Sequence, residues 1–198
     1  MNDQNATKII IGEVRFSYAH LFKPRAIEEG QDPRYSVTLL IPKDNTELIE
    51  KIKAAIKAAY NANAGIFNGK KPSKLPLKDG EEKIERDTNG HIISGAEFEG
   101  CFYINATSKT KPGLVKPGTT TKFTEITDEN DLYSGCYGYA SVNFFAFNKG
   151  FNNGISAGLN NVLLTRKGDY LGGRASAETD FNGLDVGDIT GDMPDDLI

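Results

Sequence analysis

The sequence predicts a mainly β fold with one or two helices, of which a five-stranded Greek-key barrel of the OB type, with an inserted helix, is the simplest form. Three observations support it: five segments of strand character, one convincing amphipathic helix, and long connections rich in glycine and proline. A β-sandwich is the alternative, because the pattern of strands alone does not fix their pairing. At 198 residues, a single domain is expected.

The first two strands lie in the N-terminal quarter. Lys8 to Phe16 is rich in β-branched residues, and Gly12 within it indicates a bulge. The residues from Ser17 as far as Arg34 are predicted to form a loop that either packs on the body or borders a groove. That loop mixes rings and cations: Tyr18, His20, Phe22, Lys23 and Arg25. Arg34 to Ile41 alternates, which predicts a second strand with Val37, Leu39 and Ile41 facing inward.

A helix is predicted from Thr46 to Asn63. At its start, Asp44 together with Glu47 resembles a capping box. The spacing of its apolar residues is that of a helix lying on a sheet, with the lysines on a solvated face. The apolar stripe consists of Leu48, Ile49, Ile52, Ala55, Ile56, Ala59 and Tyr60.

Residues 66–95 lack periodicity and are rich in lysine, proline and glycine, with a tight turn expected at DTNG. This stretch is either a mobile loop beside a ligand or a solvated insertion. Phe98 to Ser108 is the third predicted strand, with Phe102, Ile104 and Ala106 on one face and Cys101, Tyr103 and Asn105 on the other. A proline-glycine-threonine loop with four lysines follows it.

The most informative stretch is an aromatic strand near the C-terminus. One face carries small and branched residues, namely Gly138, Ala140, Val142, Phe144 and Ala146. The other face carries Tyr137, Tyr139, Ser141, Asn143, Phe145 and Phe147. The first face suits a core, so the rings of the second need another partner. Asn148 to Gly158 is predicted to be a hairpin connection, and Leu159 to Thr165 the returning strand.

An aromatic surface with cations at its ends predicts nucleic-acid binding, because unstacked bases stack on rings and phosphates attract lysine and arginine. The predicted nucleic-acid-binding residues are Tyr103, Lys109, Lys111, Tyr137, Tyr139, Asn143, Phe145, Phe147, Lys149, Arg166 and Lys167. Two alternatives use the same surface. It can be the seam of a homodimer in a structural or assembly protein, or it can bind RNA.

Charge divides the chain at Arg174. The whole sequence has 23 basic and 27 acidic residues, and seven of the acids, but no Lys or Arg, follow Arg174, which leaves a body of 23 basic against 20 acidic residues. We therefore predict a domain over residues 1–174 and a flexible acidic tail over residues 175–198. A tethered polyanion competes with DNA for a cationic groove. The predicted partner-binding end of the tail is Asp192, Asp195, Asp196, Leu197 and Ile198.

Catalysis is not predicted. The two histidines, His20 and His91, lie far apart in the sequence and in no metal-binding motif, and no phosphate-loop or dinucleotide fingerprint is present. Neither a cofactor nor a metal is expected. No apolar run approaches the ~20 residues of a membrane span, and the polar start lacks the core of a signal peptide, so an intracellular location is expected.

Several motifs in this order resemble phage-encoded single-stranded DNA-binding proteins of the podophage replication type. They are NGKKPSKLPLKDG, SVNFFAFN, NNGISAGL, NNVLL and the acidic end DMPDDLI. The resemblance implies an OB-type fold, sequence-independent coating of single strands in the cytoplasm of an infected bacterium, and a tail that contacts replication or recombination proteins. By position, Phe145 and Phe147 match the aromatic groove of that family, and Asp195 to Ile198 match its tail end. Family tails often end in phenylalanine, whereas this one ends in Leu197 and Ile198.

Overall fold

The computed structural model describes residues 6–26, 30–68, 71–149 and 152–171. Its main elements are β1 (Lys8–Arg25), β2 (Arg34–Pro42), α1 (Thr46–Ala62), β3 (Leu77–Asp79), β4 (Glu85–Arg86), β5 (Ile92–Ser94), β6 (Cys101–Ser108), β7 (Gly113–Pro117), β8 (Phe123–Glu125), β9 (Tyr137–Lys149) and β10 (Asn152–Arg166). Short 3-10 helices span Ala64–Phe67, Gly80–Lys83 and Ala96–Phe98.

Five of these strands close into a barrel. Its order is β6, β2, β1, β9 and β10, and a parallel pairing of β10 with β6, at Ala157 opposite Ala106, completes the circle. The interior is apolar, with Ile11, Phe16, Ile104 and Val142 among its fully buried side chains. The predicted fold class is therefore confirmed as an OB-type barrel with one helix, and the β-sandwich is not the fold.

The first strand is longer than predicted. The predicted loop that begins at Ser17 instead continues β1 as far as Arg25, because its N-terminal half pairs with β9 and its C-terminal half with β2. Register shifts on either side of His20 replace the regular alternation, which explains why the sequence lacks a strand pattern there. The bulge predicted at Gly12 is confirmed by the register shift between Ile11 and Val14.

Helix α1 packs against β1, β9 and β10, and its predicted apolar stripe faces them. Leu48, Ile49 and Ile52 are buried, while Ile56 and Tyr60 are partly buried at the edge of the same cluster. The N-cap differs from the prediction: the side chain of Asn45, not Asp44, accepts a hydrogen bond from the backbone N–H of Leu48 at 3.2 Å. Position, length and buried face are otherwise as predicted.

The long connection predicted between the last two strands is wrong. β9 extends to Lys149 and β10 begins at Asn152, with these two residues opposite each other. Gly154 and Gly158 of this stretch serve close packing within a strand instead of a turn. A Cβ on Gly154 would lie 2.5 Å from the carbonyl oxygen of Lys74, and one on Gly158 would lie 2.9 Å from the side chain of Asn143.

The insertion between α1 and β6 is more ordered than the sequence indicates. Backbone hydrogen bonds join Lys74 to Asn153 and Ile155 of β10, so that this part of the insertion forms a strap across the barrel. Further along, β4 and β5 pair around the predicted turn, where Gly90 donates to Asp87. Phe98 then packs with Leu40 and Tyr103 in a second apolar cluster outside the barrel.

Two further predictions concern the C-terminal half. The lysine-containing loop after β6 includes the β7–β8 hairpin, which extends the sheet beyond β10. The predicted division into residues 1–174 and 175–198 falls outside the described residues, as do Asp192, Asp195, Asp196, Leu197 and Ile198.

Candidate nucleic-acid interface

The outward side of β9 carries the predicted rings. Tyr139 and Phe145 are 36% and 42% exposed, while their neighbours Ala140 and Phe144 are buried in the core. The two faces of this strand are therefore assigned correctly by the sequence. On β1, Ile10 lies opposite Ser141 and is 68% exposed, which extends the apolar surface sideways. We call the outward residues Tyr139, Ser141, Asn143, Phe145 and Phe147 the β9 face.

One end of β9 is occupied by an aromatic-cation cluster. The guanidinium carbon of Arg166 lies 3.4 Å from the ring centroid of Tyr137, and that of Arg15 lies 5.6 Å from it. Arg166 also approaches Glu13, with Nε 3.6 Å from Oε1. Tyr137 and Arg166, both predicted to bind nucleic acid, are thus partners of each other, and the ring is less available to a base than those of Tyr139 and Phe145.

A groove crosses the outside of β1, β2 and β6, on the other side of β1 from the β9 face. Its volume is about 270 Å³, just below the ~300–1,000 Å³ of typical small-molecule sites, which suits a flat ring better than a bulky ligand. We call it the β2–β6 groove. Its lining residues include Tyr18, His20, Arg25, Ser36, Thr38, Lys83, Phe98, Asn105 and Thr107.

Tyr18 holds the most unusual position in this groove. Its φ is +45°, in the left-handed region that bulky residues rarely adopt, and its side chain is 57% exposed. Its ring centroid lies 6.3 Å from that of Phe98. Backbone strain of this kind is of order 1–3 kcal/mol and is concentrated at functional sites. An exposed ring held by a strained backbone is therefore a strong candidate for a ligand contact.

The floor of the groove is polar, and some of its hydrogen-bonding groups already have partners. The hydroxyl of Thr38 donates to Oδ1 of Asn105 at 2.8 Å, so this oxygen already has a partner within the groove. Among the described residues, neither Arg25 nor Lys83 makes an ion pair. Burial, with a smaller contribution from the charge of Arg25, lowers the pKa of His20. The groove therefore offers donors and positive charge without compensating acids from the described chain.

Tyr103 is the predicted site residue that the structure removes from the surface. It lies on the outward face of β6, as the alternation predicts, but Phe98 covers it in an edge-to-face contact with centroids 5.4 Å apart. Only 2% of the residue is exposed, and burial raises the pKa of its hydroxyl. The prediction that its ring contacts nucleic acid is therefore wrong, because the insertion covers the ring.

Lys167, another predicted cation, lines a cleft on the far side of His20. We call it the side cleft; its lining includes His20, Phe22, Lys23, Tyr133, Lys167 and Tyr170. Lys167 is paired with Asp131 at 3.1 Å, and Lys23 with Glu129 at 3.2 Å. Lys111 lies 5.7 Å from the ring centroid of Phe22, and Lys109 is exposed after β6. Much of the positive charge here is already neutralised by acids.

The strap brings the lysine-rich insertion to the hairpin end of the β9 face. Lys74 joins β10 at Gly154, which lies opposite Phe147, and the side-chain amide of Asn148 donates to the Ile66 carbonyl at 3.3 Å. Lys149 is exposed at the end of β9. Phe147 and Lys149 are therefore brought together with Lys74, which the sequence did not single out.

Sequence reasoning did not identify the polar lining of the β2–β6 groove: Ser36, Thr38, Lys83, Asn105 and Thr107. The alternation of β2 and β6 does place hydroxyl and amide side chains on their outward faces, so a signal was present. The rings and cations of residues 18–25 were noted, but the strand that aligns them with β2 was not predicted.

No group of three or more His, Cys, Asp or Glu side chains is arranged to hold a metal ion in the described part of the chain. Within the same residues, no helix is long and apolar enough to cross a membrane.

Comparison with solved structures agrees with the barrel fold. The single-stranded DNA-binding protein from bacteriophage Enc34, solved in complex with ssDNA, matches with a TM-score of 0.68 and 28% identity over 84% of this chain and 90% of that one. A C-terminal truncation of the Enc34 protein matches with a TM-score of 0.66 and 28% identity, over 84% of this chain and 89% of the other. Bacteriophage T7 gp2.5, a single-stranded DNA-binding protein, matches with a TM-score of 0.52 over 94% of this chain and 98% of its own; at 15% identity it supports the fold alone.

Sequence comparison extends the relationship over nearly the whole chain. Putative protein p50 of Acyrthosiphon pisum secondary endosymbiont phage 1 is 31% identical over 188 residues, which is 90% of this chain and 95% of the relative. The profile of the family described as "Enterobacter phage Enc34, ssDNA-binding protein" matches residues 7–197. A barrel with this groove, a structural match to the Enc34 protein and a profile match of this length lead to one conclusion: the chain belongs to the Enc34 family of phage single-stranded DNA-binding proteins.

Proposed function

We propose that this protein binds single-stranded DNA without base selectivity, as a phage replication or recombination factor and not as an enzyme. The observation that carries the proposal is the β2–β6 groove, which lies on the face where OB barrels bind oligonucleotides. The exposed ring of Tyr18 at its edge gives a base a stacking surface. The Enc34 protein, solved in complex with ssDNA, supports the same ligand class.

The physical basis of the binding is stacking together with phosphate neutralisation. Stacking on an aromatic side chain is worth roughly 1–3 kcal/mol per base and tolerates every base. Arg25 and Lys83, which have no ion pair among the described residues, are placed to contact phosphates. Because Lys23 and Lys167 are already paired with acids, few counterions are released, and the affinity should fall with salt at a modest slope.

The β9 face is proposed as a second stacking surface. Tyr139 and Phe145 present exposed rings, and Asn143 lies between them on the same face. Phe147 and Lys149 continue the surface toward the strap. Both surfaces adjoin β1, because its N-terminal half pairs with β9 and its C-terminal half lines the β2–β6 groove, so a DNA strand that leaves the groove can cross β1 to reach the second surface. Tyr137, Arg166, Lys109, Lys111 and Lys167 remain proposed contacts at the margins of these surfaces.

For the tail we propose competition with DNA and recruitment of replication or recombination proteins. The last described residue, Leu171, donates its backbone N–H to the Ser134 carbonyl at 2.7 Å, and the adjacent Tyr170 lines the side cleft. His20 lines both that cleft and the β2–β6 groove, so the described chain ends near the proposed DNA site. The expected location in the cytoplasm of an infected bacterium stays a prediction.

A second candidate use of the β9 face is self-association. Ile10, Tyr139 and Phe145 form an exposed apolar surface of a kind that also occurs in homodimer interfaces. A homodimer built on it would elute at twice the monomer mass and would lose that state when Ile10 is replaced by a lysine. RNA binding is distinguished by direct competition between oligo-dT and oligo-U, because stacking alone accepts both.

The test is a titration with oligo-dT, followed by fluorescence of the eight tyrosines or by anisotropy of a labelled strand. Tyr18→Ala and Phe145→Ala are each expected to weaken binding by about tenfold, the lower part of the range for loss of one stacking ring. Phe123→Ala is the matched control, because this ring is 45% exposed on the edge strand β8, away from both surfaces. Circular dichroism confirms that each variant is folded.

The results of these titrations distinguish the β2–β6 groove from the β9 face as the DNA site, and they also test the proposed function. A loss confined to Tyr18→Ala restricts the DNA site to the β2–β6 groove, and a loss confined to Phe145→Ala moves it to the β9 face. A parent protein that does not bind oligo-dT at low salt would falsify the proposed function. Strong preference for one short sequence over oligo-dT would contradict the lack of base selectivity.

A further inference from the structure

Two arginines face each other at the end of the β2–β6 groove. Arg25 at the end of β1 and Arg34 at the start of β2 are direct partners in the antiparallel register. Directly opposite residues in such a pair project from the same side of the sheet, with Cβ atoms ~4.5–5.5 Å apart. Two positive charges are therefore held side by side, and Arg25 lines the groove.

This arrangement is unfavourable for the free protein. Like charges directly opposite each other destabilise a strand pair. Among the described residues, no carboxylate pairs with either guanidinium. Two guanidinium groups on directly opposite residues, with no ion pair to a described acid, supply several N–H donors of the kind that bind a phosphate. The repulsion is relieved when an anion lies between the two side chains.

His20 adds a titratable group to the same end of the groove. It lies opposite Ser36 and lines the groove together with Arg25. Burial first, and then the charge of Arg25, lowers its pKa, so the free protein holds it neutral at pH 7. The other charged groups around the two clefts that it borders are Lys23, Lys83, Lys167, Glu129 and Asp169. Because Lys23 is paired with Glu129, Arg25 is the main source of the electrostatic potential at His20.

We propose that Arg25, Arg34 and His20 form a clamp for one backbone phosphate of the bound strand, and that His20 takes up a proton when the strand binds. The proposal rests on the proposed function, since the strand delivers the phosphate. It adds a specific contact and a pH dependence that stacking on rings does not supply. The chemical class of the ligand is a phosphodiester.

The sign of the pH effect follows from linkage. A phosphate beside His20 stabilises the imidazolium and raises the pKa of His20 in the complex above that in the free protein. Binding is therefore strengthened as the pH falls through the pKa of the complex, and the gain is complete below the pKa of the free protein. Because burial and Arg25 lower the pKa of His20 in the free protein, the gain in affinity is complete only on the acidic side of the ordinary histidine value.

The first arm of the test measures oligo-dT affinity across salt concentrations for Arg25→Gln and Arg34→Gln. Each is expected to weaken binding by about tenfold, as for a lost hydrogen bond to a charged group, and to reduce the salt slope by about 0.7. Lys57→Gln is the charge-matched control, because this lysine is exposed on α1 and lies outside the groove. Its affinity is expected to stay within about twofold of the parent.

Stability of the free variants is a readout that separates the clamp from a structural role. Because the two arginines repel each other, Arg34→Gln is expected to have a Tm equal to or above that of the parent. If Arg34→Gln lowers the Tm, the pair is held by acids of its own chain, such as Glu28 or Glu29 outside the described residues, and the clamp is overturned.

The second arm measures oligo-dT affinity against pH and proton uptake by calorimetry in buffers of different ionisation enthalpy. The parent is expected to bind about fivefold more tightly near pH 6 than near pH 8, and His20→Gln is expected to lose this rise. His91→Gln is the matched control, because His91 is the other histidine of the chain and faces Asp87 at 3.2 Å on the β4–β5 turn. It should retain the pH dependence of the parent.

The failure of the clamp and the failure of the proposed function give different results. A parent that binds oligo-dT with a pH-independent affinity, and whose arginine variants match Lys57→Gln, overturns the clamp and leaves the function intact. A pH dependence that survives in His20→Gln also overturns it. A parent that does not bind oligo-dT at all overturns the function.

Discussion

Asp131 connects two lysines that lie far apart in the sequence. Its carboxylate is 2.8 Å from Nζ of Lys116 on β7 and 3.1 Å from Nζ of Lys167 after β10. The hydrogen bond with Lys116 contributes most, and that with Lys167 next, to lowering the pKa of Asp131. A carboxylate with a lowered folded-state pKa adds stability that is present above its unfolded pKa and is lost as the pH falls through the folded value.

Asp131→Asn is therefore expected to lower the Tm at neutral pH, with a difference from the parent that starts to shrink below about pH 4, the unfolded pKa, and is lost only as the pH falls through the lower folded-state pKa. Thermal unfolding measured at several pH values between about 3 and 7 checks this. Asp32→Asn, at an exposed site with no ion pair in the described chain, is the control. A difference in Tm that does not change with pH would show that the loss is one of packing and not of charge.

The tyrosines show how far a single position can be predicted. Alternation correctly places Tyr139 and Tyr103 on outward faces of their strands, because each strand has period two. It does not reveal that Phe98, from the insertion, covers Tyr103, since that contact depends on how the insertion folds back. Tyr18 was noted as a ring near cations, but its φ of +45° follows from an irregular pairing of β1 with β2 that no local pattern encodes.

At the scale of elements, the strap over β10 explains the glycines that the sequence analysis assigned to a turn. Gly154 is buried against the backbone of Lys74, and the parallel bridge between them holds the insertion in place. A glycine required for close approach and one required for a positive φ look identical in a sequence. The connection between β9 and β10 was overestimated for this reason, whereas α1 was predicted well because its stripe repeats over four turns.

Gly154→Ala tests the strap. The added Cβ would lie 2.5 Å from the Lys74 carbonyl oxygen, so either the strap detaches or β10 shifts, at a cost of roughly 1–3 kcal/mol in the free energy of unfolding. Denaturant unfolding measures this, and limited proteolysis reports cleavage near residues 66–76. Gly65→Ala is the control, because a Cβ there meets no atom within 4 Å. Equal stability and equal protease resistance of the two variants would mean that the strap is not a structural element in solution.

For the whole molecule, strand count and one amphipathic helix were enough to predict an OB-type barrel. They did not predict which strands close the barrel, because β6 and β10 are far apart in the sequence and pair at only a short parallel stretch around Ala106 and Ala157. The β2–β6 groove depends on another pairing between distant segments, that of β2 with β6. Once β2 and β6 are adjacent, their outward hydroxyl and amide side chains form one polar groove, which neither strand indicates by itself.

The charge division of the chain leads to a prediction about the tail. The described body ends at Leu171 beside the side cleft, which shares His20 with the β2–β6 groove. Seven acids in residues 175–198 follow this point in the sequence, and we expect them to reach Arg25 and Lys83, which make no ion pair within the described residues, at an effective concentration of about millimolar order. Such a polyanion competes with DNA phosphates without needing a fixed structure, and the competition is weakened by salt.

Removal of residues 175–198 is therefore expected to leave the fold intact, since the described core ends before them, and to tighten oligo-dT binding most at low salt. Displacement of the tail by DNA would expose Asp195, Asp196, Leu197 and Ile198, whose acids and apolar end suit an apolar pocket with a basic rim on a replication protein. Affinities of the full and shortened proteins at two salt concentrations test the competition, and a pull-down of host and phage replication proteins tests recruitment. A variant with the seven acids replaced by their amides separates charge from length: competition requires it to behave like the shortened protein. Unchanged or weaker DNA binding after truncation would exclude competition, and an unchanged pull-down would leave the tail with a role in solubility alone.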